Sequence, residues 1–137
     1  MLELKNISHY YSSSDINNEV LSSINIEFEK GSINTIFGNS GTGKSTLLNI
    51  AGLINNPKIG DVLLGGKKVN SKGDMSSLRL KYFGYIFQDH YLLPEFTVEE
   101  NLILPGVISG DKKKNIVDKV SKYLERFRLN MLKHKYP

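Results

Sequence analysis

Gly38-Asn39-Ser40-Gly41-Thr42-Gly43-Lys44-Ser45 is the stretch that decides how this 137-residue chain is read. It meets the pattern G-x-x-x-x-G-K-[ST] at every fixed position. A β-rich run, Ile33 to Phe37, leads in. From Lys44 the period turns helical: Leu47, Leu48, Ala51 and Leu53/Ile54 share a face, closed by Asn55-Asn56-Pro57. Strand, glycine-rich turn and helix form the context the pattern needs. Glycines at 38, 41 and 43 allow backbone conformations that a Cβ would block, so successive N–H groups converge on an anion. The helix N-terminus adds unpaired donors and its dipole. Lys44 then reaches the β- and γ-phosphates of a nucleotide, and the Ser45 hydroxyl ligates Mg²⁺. The competing account, a glycine-rich turn without a ligand, fits the two flanking elements poorly.

Working outward, Leu2 to Ser8 alternates apolar Leu2, Leu4 and Ile7 with polar residues and predicts a strand. Tyr10 to Asn18 is polar enough for a loop. Val20 to Phe28 sets Ile24, Ile26 and Phe28 on one face of a second strand, which stops at Lys30-Gly31. Asp61 to Leu64 is a short strand turned by Gly65-Gly66. Met75 to Lys81 predicts a helical turn, and Tyr82 to Phe87 a β-type run. After Pro94 the pattern is helical. Thr97 with Glu100 makes a capping box, Ser109-Gly110-Asp111 breaks the segment, and Ile116, Val120, Tyr123/Leu124 and Phe127 trace an amphipathic face. The expectation is a mixed sheet around one buried helix over residues 1–93, with a helical subdomain over 94–137.

One domain's worth of residues fits this length. With 39% hydrophobic residues a packed core is expected, and zero cysteine excludes a disulfide scaffold or thiolate metal site and suits a reducing cytoplasm. The longest apolar run, Leu47 to Ile54, is interrupted by Asn49 and Gly52 and falls short of a membrane span. The opening residues show no export signal. The net charge of +4 is concentrated late: residues 1–109 hold 9 Lys/Arg against 11 Asp/Glu, residues 110–137 hold 9 against 3. Lys112-Lys113-Lys114 alone suggests a nucleic-acid module. Against it, no aromatics interleave with these lysines, and Asp118 and Glu125 share their helix, so a solvated face is expected and no nucleic-acid partner.

The second informative stretch is Phe83-Gly84-Tyr85-Ile86-Phe87-Gln88, followed by Asp89-His90-Tyr91-Leu92-Leu93-Pro94. Gln88 directly follows an apolar run, where a strand end would place it at a ligand crevice; a loop residue without a ligand is the alternative. Here the chain resembles the ATP-binding subunit of ABC transporters, and most the group serving lipoprotein release, macrolide export and the cell-division complex. The resemblance rests on Leu4-Lys5-Asn6-Ile7-Ser8…Tyr11, Phe28-Glu29-Lys30-Gly31-Ser32, Gly38 to Leu53, Gly84-Tyr85-Ile86-Phe87-Gln88 and Leu92-Leu93-Pro94-Glu95-Phe96-Thr97-Val98-Glu99-Glu100-Asn101. It covers the whole chain in order.

The resemblance implies an α/β P-loop fold with an antiparallel N-terminal β part and the start of a helical subdomain. It implies ATP and Mg²⁺ bound by Gly38, Asn39, Ser40, Gly41, Thr42, Gly43, Lys44, Ser45 and Thr46, with the metal on Ser45 and Gln88. An aromatic ring, Tyr11 or its neighbour Tyr10, would stack on adenine. Asp89, His90, His9 and His134 are read as solvated or surface residues. Partners implied are transmembrane permease subunits, received by Gln88 to Asn101 through Leu92, Leu93 and Phe96, and a second ATP-binding subunit in a homodimer or heterodimer. The place implied is peripheral, on the cytoplasmic face of a membrane.

The family's later elements are a Leu-Ser-Gly-Gly-Gln-type signature, an apolar strand ending in Asp with a catalytic Glu, and a switch His. None is found among the 137 residues, where no run of four apolar residues precedes Asp-Glu. The expectation is therefore an N-terminal portion with an incomplete sheet, which holds nucleotide but hydrolyses it negligibly, since a missing general base costs about 10²–10⁴-fold. A small P-loop kinase and a non-catalytic nucleotide-binding fragment remain as alternatives; neither Arg79 nor Arg126 sits in the lid context a kinase needs.

Overall fold

The alternation at Leu2, Leu4 and Ile7 extends further than its pattern suggests. In a computed structural model, which describes residues 1–13, 16–69, 73 and 75–137, strand β1 spans Leu2–Ser13 and β2 spans Ile16–Phe28. Most of the expected loop at 10–18 thus belongs to strands, while positions 14 and 15 lie outside the described residues. The two pair antiparallel, Leu4 opposite Ile26, Ile7 opposite Ile24 and His9 opposite Leu21, with register shifts between these pairs. Backbone pairing needs no apolar alternation, so polar residues continue a ladder that a long antiparallel neighbour has begun.

Strand β3, Ile59–Leu64, pairs antiparallel with the other edge of β1, and β4, Lys67–Lys68, returns beside it through Gly65-Gly66. The order is β2-β1-β3-β4, antiparallel throughout. The expected mixed sheet is not what the described residues form. Residues 32–39 and 83–87 enter no ladder, and Tyr82 ends a helix instead of opening a strand. Ile33 and Phe37 are 96% and 88% exposed. A strand is defined by a parallel or antiparallel neighbour, and no described segment pairs with these two runs in a ladder.

Helix α1, Lys44–Ala51, packs on the sheet. Leu47, Ile50, Ala51 and Leu53 join Leu4, Ile7, Leu21 and Val62 in one buried cluster. At about 1.5–3 kcal/mol for each large side chain removed from water, this cluster dominates the stability of the unit. Leu48 and Ile54, expected on the buried face, are exposed, and Ile50 takes the inward place. Helix α2, Met75–Tyr82, follows, and these elements belong to the compact unit Met1–Tyr85.

Ile86–Pro137 is a second compact unit. Helix α3, Val98–Ile108, and α4, Lys113–Arg126, pack through Ile116, Val120 and Leu124, with Val98, Ile103 and Leu129 against them. Tyr123 and Phe127, read as part of the apolar face, are mostly exposed. Among the described residues, no helix is long and apolar enough to cross a membrane.

Candidate functional site: the loop at Gly38 to Thr46

The loop wraps into α1 as its glycines require. Gly43, the N-cap of α1, has φ +87° and is buried. A Cβ there would stand 2.8 Å from Val20 Cγ1 and 2.9 Å from the Val20 carbonyl oxygen, so β2 packs directly against the loop. At Gly38 a Cβ would meet Thr42 Oγ1 at 2.9 Å, and that hydroxyl donates to the Asn39 carbonyl at 2.9 Å. The first helical bond runs from Leu47 N–H to Gly43 O at 2.8 Å. The N–H groups of Lys44, Ser45 and Thr46 therefore precede the helical ladder, no side chain caps them, and no acidic residue stands in the first turn.

Lys44 reaches back over the loop, its ammonium donating to the Asn39 carbonyl at 2.5 Å. Asn39, Ser40, Gly41, Thr42 and Ser45 are exposed, whereas Thr46 is buried. The donor set suits a polyphosphate: orphan N–H groups, a helix dipole and one ammonium, with no carboxylate in the first turn. An exposed Ser45 hydroxyl on the same turn suits a Mg²⁺ shared with that phosphate. Two cavities of about 620 and 590 Å³ border β3 and β4, and neither is lined by a residue of the loop.

Tyr11 is brought to this loop from β1. Its hydroxyl is 3.3 Å from Thr46 Oγ1 and its ring is half exposed. Tyr10 goes elsewhere, under the Lys58 ammonium, which lies 5.5 Å from its ring centroid. His9, expected at the surface, is buried, because β1 and β2 continue past it.

At the far end of α1 the carbonyls left by the helical ladder find side-chain partners. Tyr85 donates to the Gly52 carbonyl, and Arg79 Nη1 donates to that of Leu53 at 2.9 Å. Burial pushes the Tyr85 hydroxyl's pKa above its ordinary value, and the Arg79 guanidinium partly offsets this.

Gln88, Asp89 and His90 are exposed residues of the second unit. There the turn before α3 is organised by Asn101, which sequence reasoning passed over. Its amide donates to the carbonyls of Leu93 (3.1 Å), Phe96 (2.9 Å) and Thr97 (3.0 Å), and its oxygen accepts from Leu93 N–H at 2.9 Å. An asparagine one turn inside a helix, after a proline turn, was the available signal. The expected capping box is formed: Thr97 Oγ1 accepts from Glu100 N–H, and Thr97 N–H donates to Glu100 Oε2 at 2.8 Å. The first-turn N–H groups of Val98 and Glu99 donate to the Lys135 and Lys133 carbonyls. Leu92, Leu93 and Phe96 stand 44%, 41% and 37% exposed.

A sheet-packed helix opened by an uncapped glycine loop with Lys and Ser defines a nucleotide-binding P-loop protein of the α/β class. Residues 21–137 match the family described as ABC transporter, and the chain belongs to that family. It is 36% identical over its whole length to the lipoprotein-releasing system ATP-binding protein LolD of Rickettsia bellii, covering 61% of that protein. It is 38% identical to the macrolide export ATP-binding/permease protein MacB of Pasteurella multocida, over 98% of this chain and 21% of the relative. To the putative hemin import ATP-binding protein HrtA of Staphylococcus haemolyticus it is 40% identical, over 99% of this chain and 62% of the relative. Among solved structures it is similar to the dimeric ATP-binding cassette MJ0796 in a post-hydrolysis state with ADP and Pi. The TM-score there is 0.89 at 28% identity, over all of this chain and 62% of that one. The chain thus spans about three fifths of the length of LolD, HrtA and this cassette.

Proposed function

We propose that this chain is the ATP-holding part of a transport ATPase subunit of the lipoprotein-release and export type, binding MgATP to drive transport through partner membrane subunits. The observation that carries the proposal is the uncapped N-terminus of α1, with Lys44 beside it and Tyr11 tied to Thr46 on its first turn. In this reading the N–H groups from Gly38 to Thr46 cradle the β- and γ-phosphates, and Lys44 exchanges the neutral Asn39 carbonyl for a charged oxygen. Tyr11 takes the adenine. Ser45 would hold Mg²⁺, which would supply charge neutralisation on the phosphates when bound.

The turn from Gln88 to Asn101 is the proposed seat for the membrane subunit, with Leu92, Leu93 and Phe96 supplying apolar contact. The working form is a dimer of ATP-binding subunits at the inner face of a membrane. MacB's name joins ATP-binding and permease functions, and the MJ0796 cassette is dimeric, which supports this arrangement by likeness.

Titration of the chain with ATP and Mg²⁺ tests the proposal. Wild type binds, and Lys44→Ala weakens binding at least about tenfold, the loss of one strong charge-assisted contact, without shifting thermal stability. Equal affinity of the two proteins sinks it. Steady hydrolysis by the purified chain is expected to be negligible, and turnover of even about a tenth of that of intact family members contradicts that part.

A further inference from the structure

His9 is the buried polar side chain that the phosphate loop leaves unexplained. It sits on β1 opposite Leu21 and is 6% exposed, and its Nδ1 has no hydrogen-bond partner among the described residues. An aliphatic residue there would bury its surface without leaving a ring nitrogen unpaired. What the imidazole has instead is an edge-to-face contact with Tyr11, ring centroids 5.0 Å apart and planes at 77°.

Tyr11 is restrained at two points. Its hydroxyl is bonded to Thr46 on α1, and its ring meets His9. The hydrogen bond fixes where the end of the side chain lies but leaves the phenol plane free to turn about that axis. The perpendicular contact with His9 sets the plane. His9 is itself backed by the strand whose Val20 and Leu21 press on Gly43, so one sheet edge positions both the phosphate loop and the ring beside it.

We infer that His9 is a positioning residue for a planar base: it holds Tyr11 at a fixed tilt beside the phosphate loop, so that a nucleoside triphosphate stacks its heterocycle without first ordering the ring. The inference rests on the proposal that the loop binds the phosphates and Tyr11 the base. The ligand class is a nucleoside triphosphate, and the effect of His9 falls on the base alone.

The experiment compares two ligands on the full 137-residue chain, each with Mg²⁺: ATP and base-free tripolyphosphate. His9→Ala is expected to weaken ATP about 2–10-fold, the range of one aromatic pair, and to leave tripolyphosphate unchanged. His9→Phe keeps an aromatic edge without the unpaired nitrogen and is expected to restore ATP affinity. The inference is overturned if His9→Ala leaves ATP affinity unchanged, or if it weakens both ligands alike, as a general packing role would. If His9→Ala does not fold, the folded His9→Phe decides: ATP affinity lost with tripolyphosphate affinity retained overturns it, and both retained supports it. Tyr11→Ala separates the two readings. ATP affinity unchanged in Tyr11→Ala but lost in Lys44→Ala overturns the base platform, and the inference with it. ATP affinity lost in Tyr11→Ala but not in His9→Ala overturns the role of His9 alone.

Discussion

The Tyr85 hydroxyl donates to the Gly52 carbonyl oxygen, joining the segment after α2 to the C-terminus of the phosphate-loop helix. Gly52 is buried, so its carbonyl has little water to turn to when the donor is removed. Tyr85→Phe is expected to destabilise the chain by about 0.5–1.5 kcal/mol, the net worth of one such bond. Urea unfolding at neutral pH measures it, and an unchanged midpoint refutes the brace.

The same bond has a pH signature. Burial raises the Tyr85 pKa in the folded state, with Arg79 acting the other way. The folded form therefore holds its proton more tightly than the unfolded one. The contribution is complete below the ordinary tyrosine value of about 10 and is lost as pH rises through the higher folded value. The stability gap between wild type and Tyr85→Phe should close above about pH 10 and stay constant from pH 7 to 9.

Thr97 and Glu100 carry the opposite sign. The Thr97 N–H, and secondarily its hydroxyl, hold the Glu100 carboxyl below the usual carboxylate range. The contribution is present above the ordinary value of about 4.3 and fades as pH falls through the lower folded value. Glu100→Gln should cost stability at pH 7 and nothing at the acid end. Thr97→Ala should cost about 0.5–2 kcal/mol, the usual loss at an N-cap.

These two braces differ in how far the sequence discloses them. The capping box is local, a Thr and a Glu three apart, and is legible in the sequence. So are the loop from Gly38 to Ser45 and its helix, because the chemistry sits at fixed spacings. The choice between Leu48 and Ile50 is not: nearly every position from Leu47 to Ile54 is apolar, so periodicity alone does not pick the inward stripe, and contact with Leu4, Ile7 and Val62 decides it. His9 reads as surface beside Tyr10 to Asn18, a stretch polar enough to predict a loop. Strand pairing with β2, a non-local fact, buries it. The runs at 33–37 and 83–87 failed as strands for the same reason: β propensity has no structural effect without a neighbour.

Asn101 is expected to govern the turn from Leu93 to Thr97. Asn101→Asp keeps the oxygen that accepts from Leu93 N–H but removes the amide that donates to the Leu93, Phe96 and Thr97 carbonyls. Amide exchange in this turn should rise in both Asn101→Ala and Asn101→Asp, with the Leu93 amide more protected in the aspartate variant. Equal exchange at Leu93 in the two variants would show that the oxygen does not hold that N–H.

Ile33 and Ile86 are 96% and 102% exposed, so folding of the described residues gains almost nothing from either side chain. Substitutions at such positions usually stay within about 0.5 kcal/mol. Yet each sits in an apolar run that enters no ladder, and neighbouring exposed apolar side chains invite self-association. Ile33→Lys and Ile86→Lys should therefore leave the unfolding midpoint where it is while lowering self-association at high concentration, since a charge in place of an exposed apolar side chain opposes apolar contact. Sedimentation velocity over a concentration series, alongside urea unfolding, separates the two effects. A large fall in stability would mean that these side chains are packed in solution, and unchanged association would mean that these runs are not where copies of the chain meet.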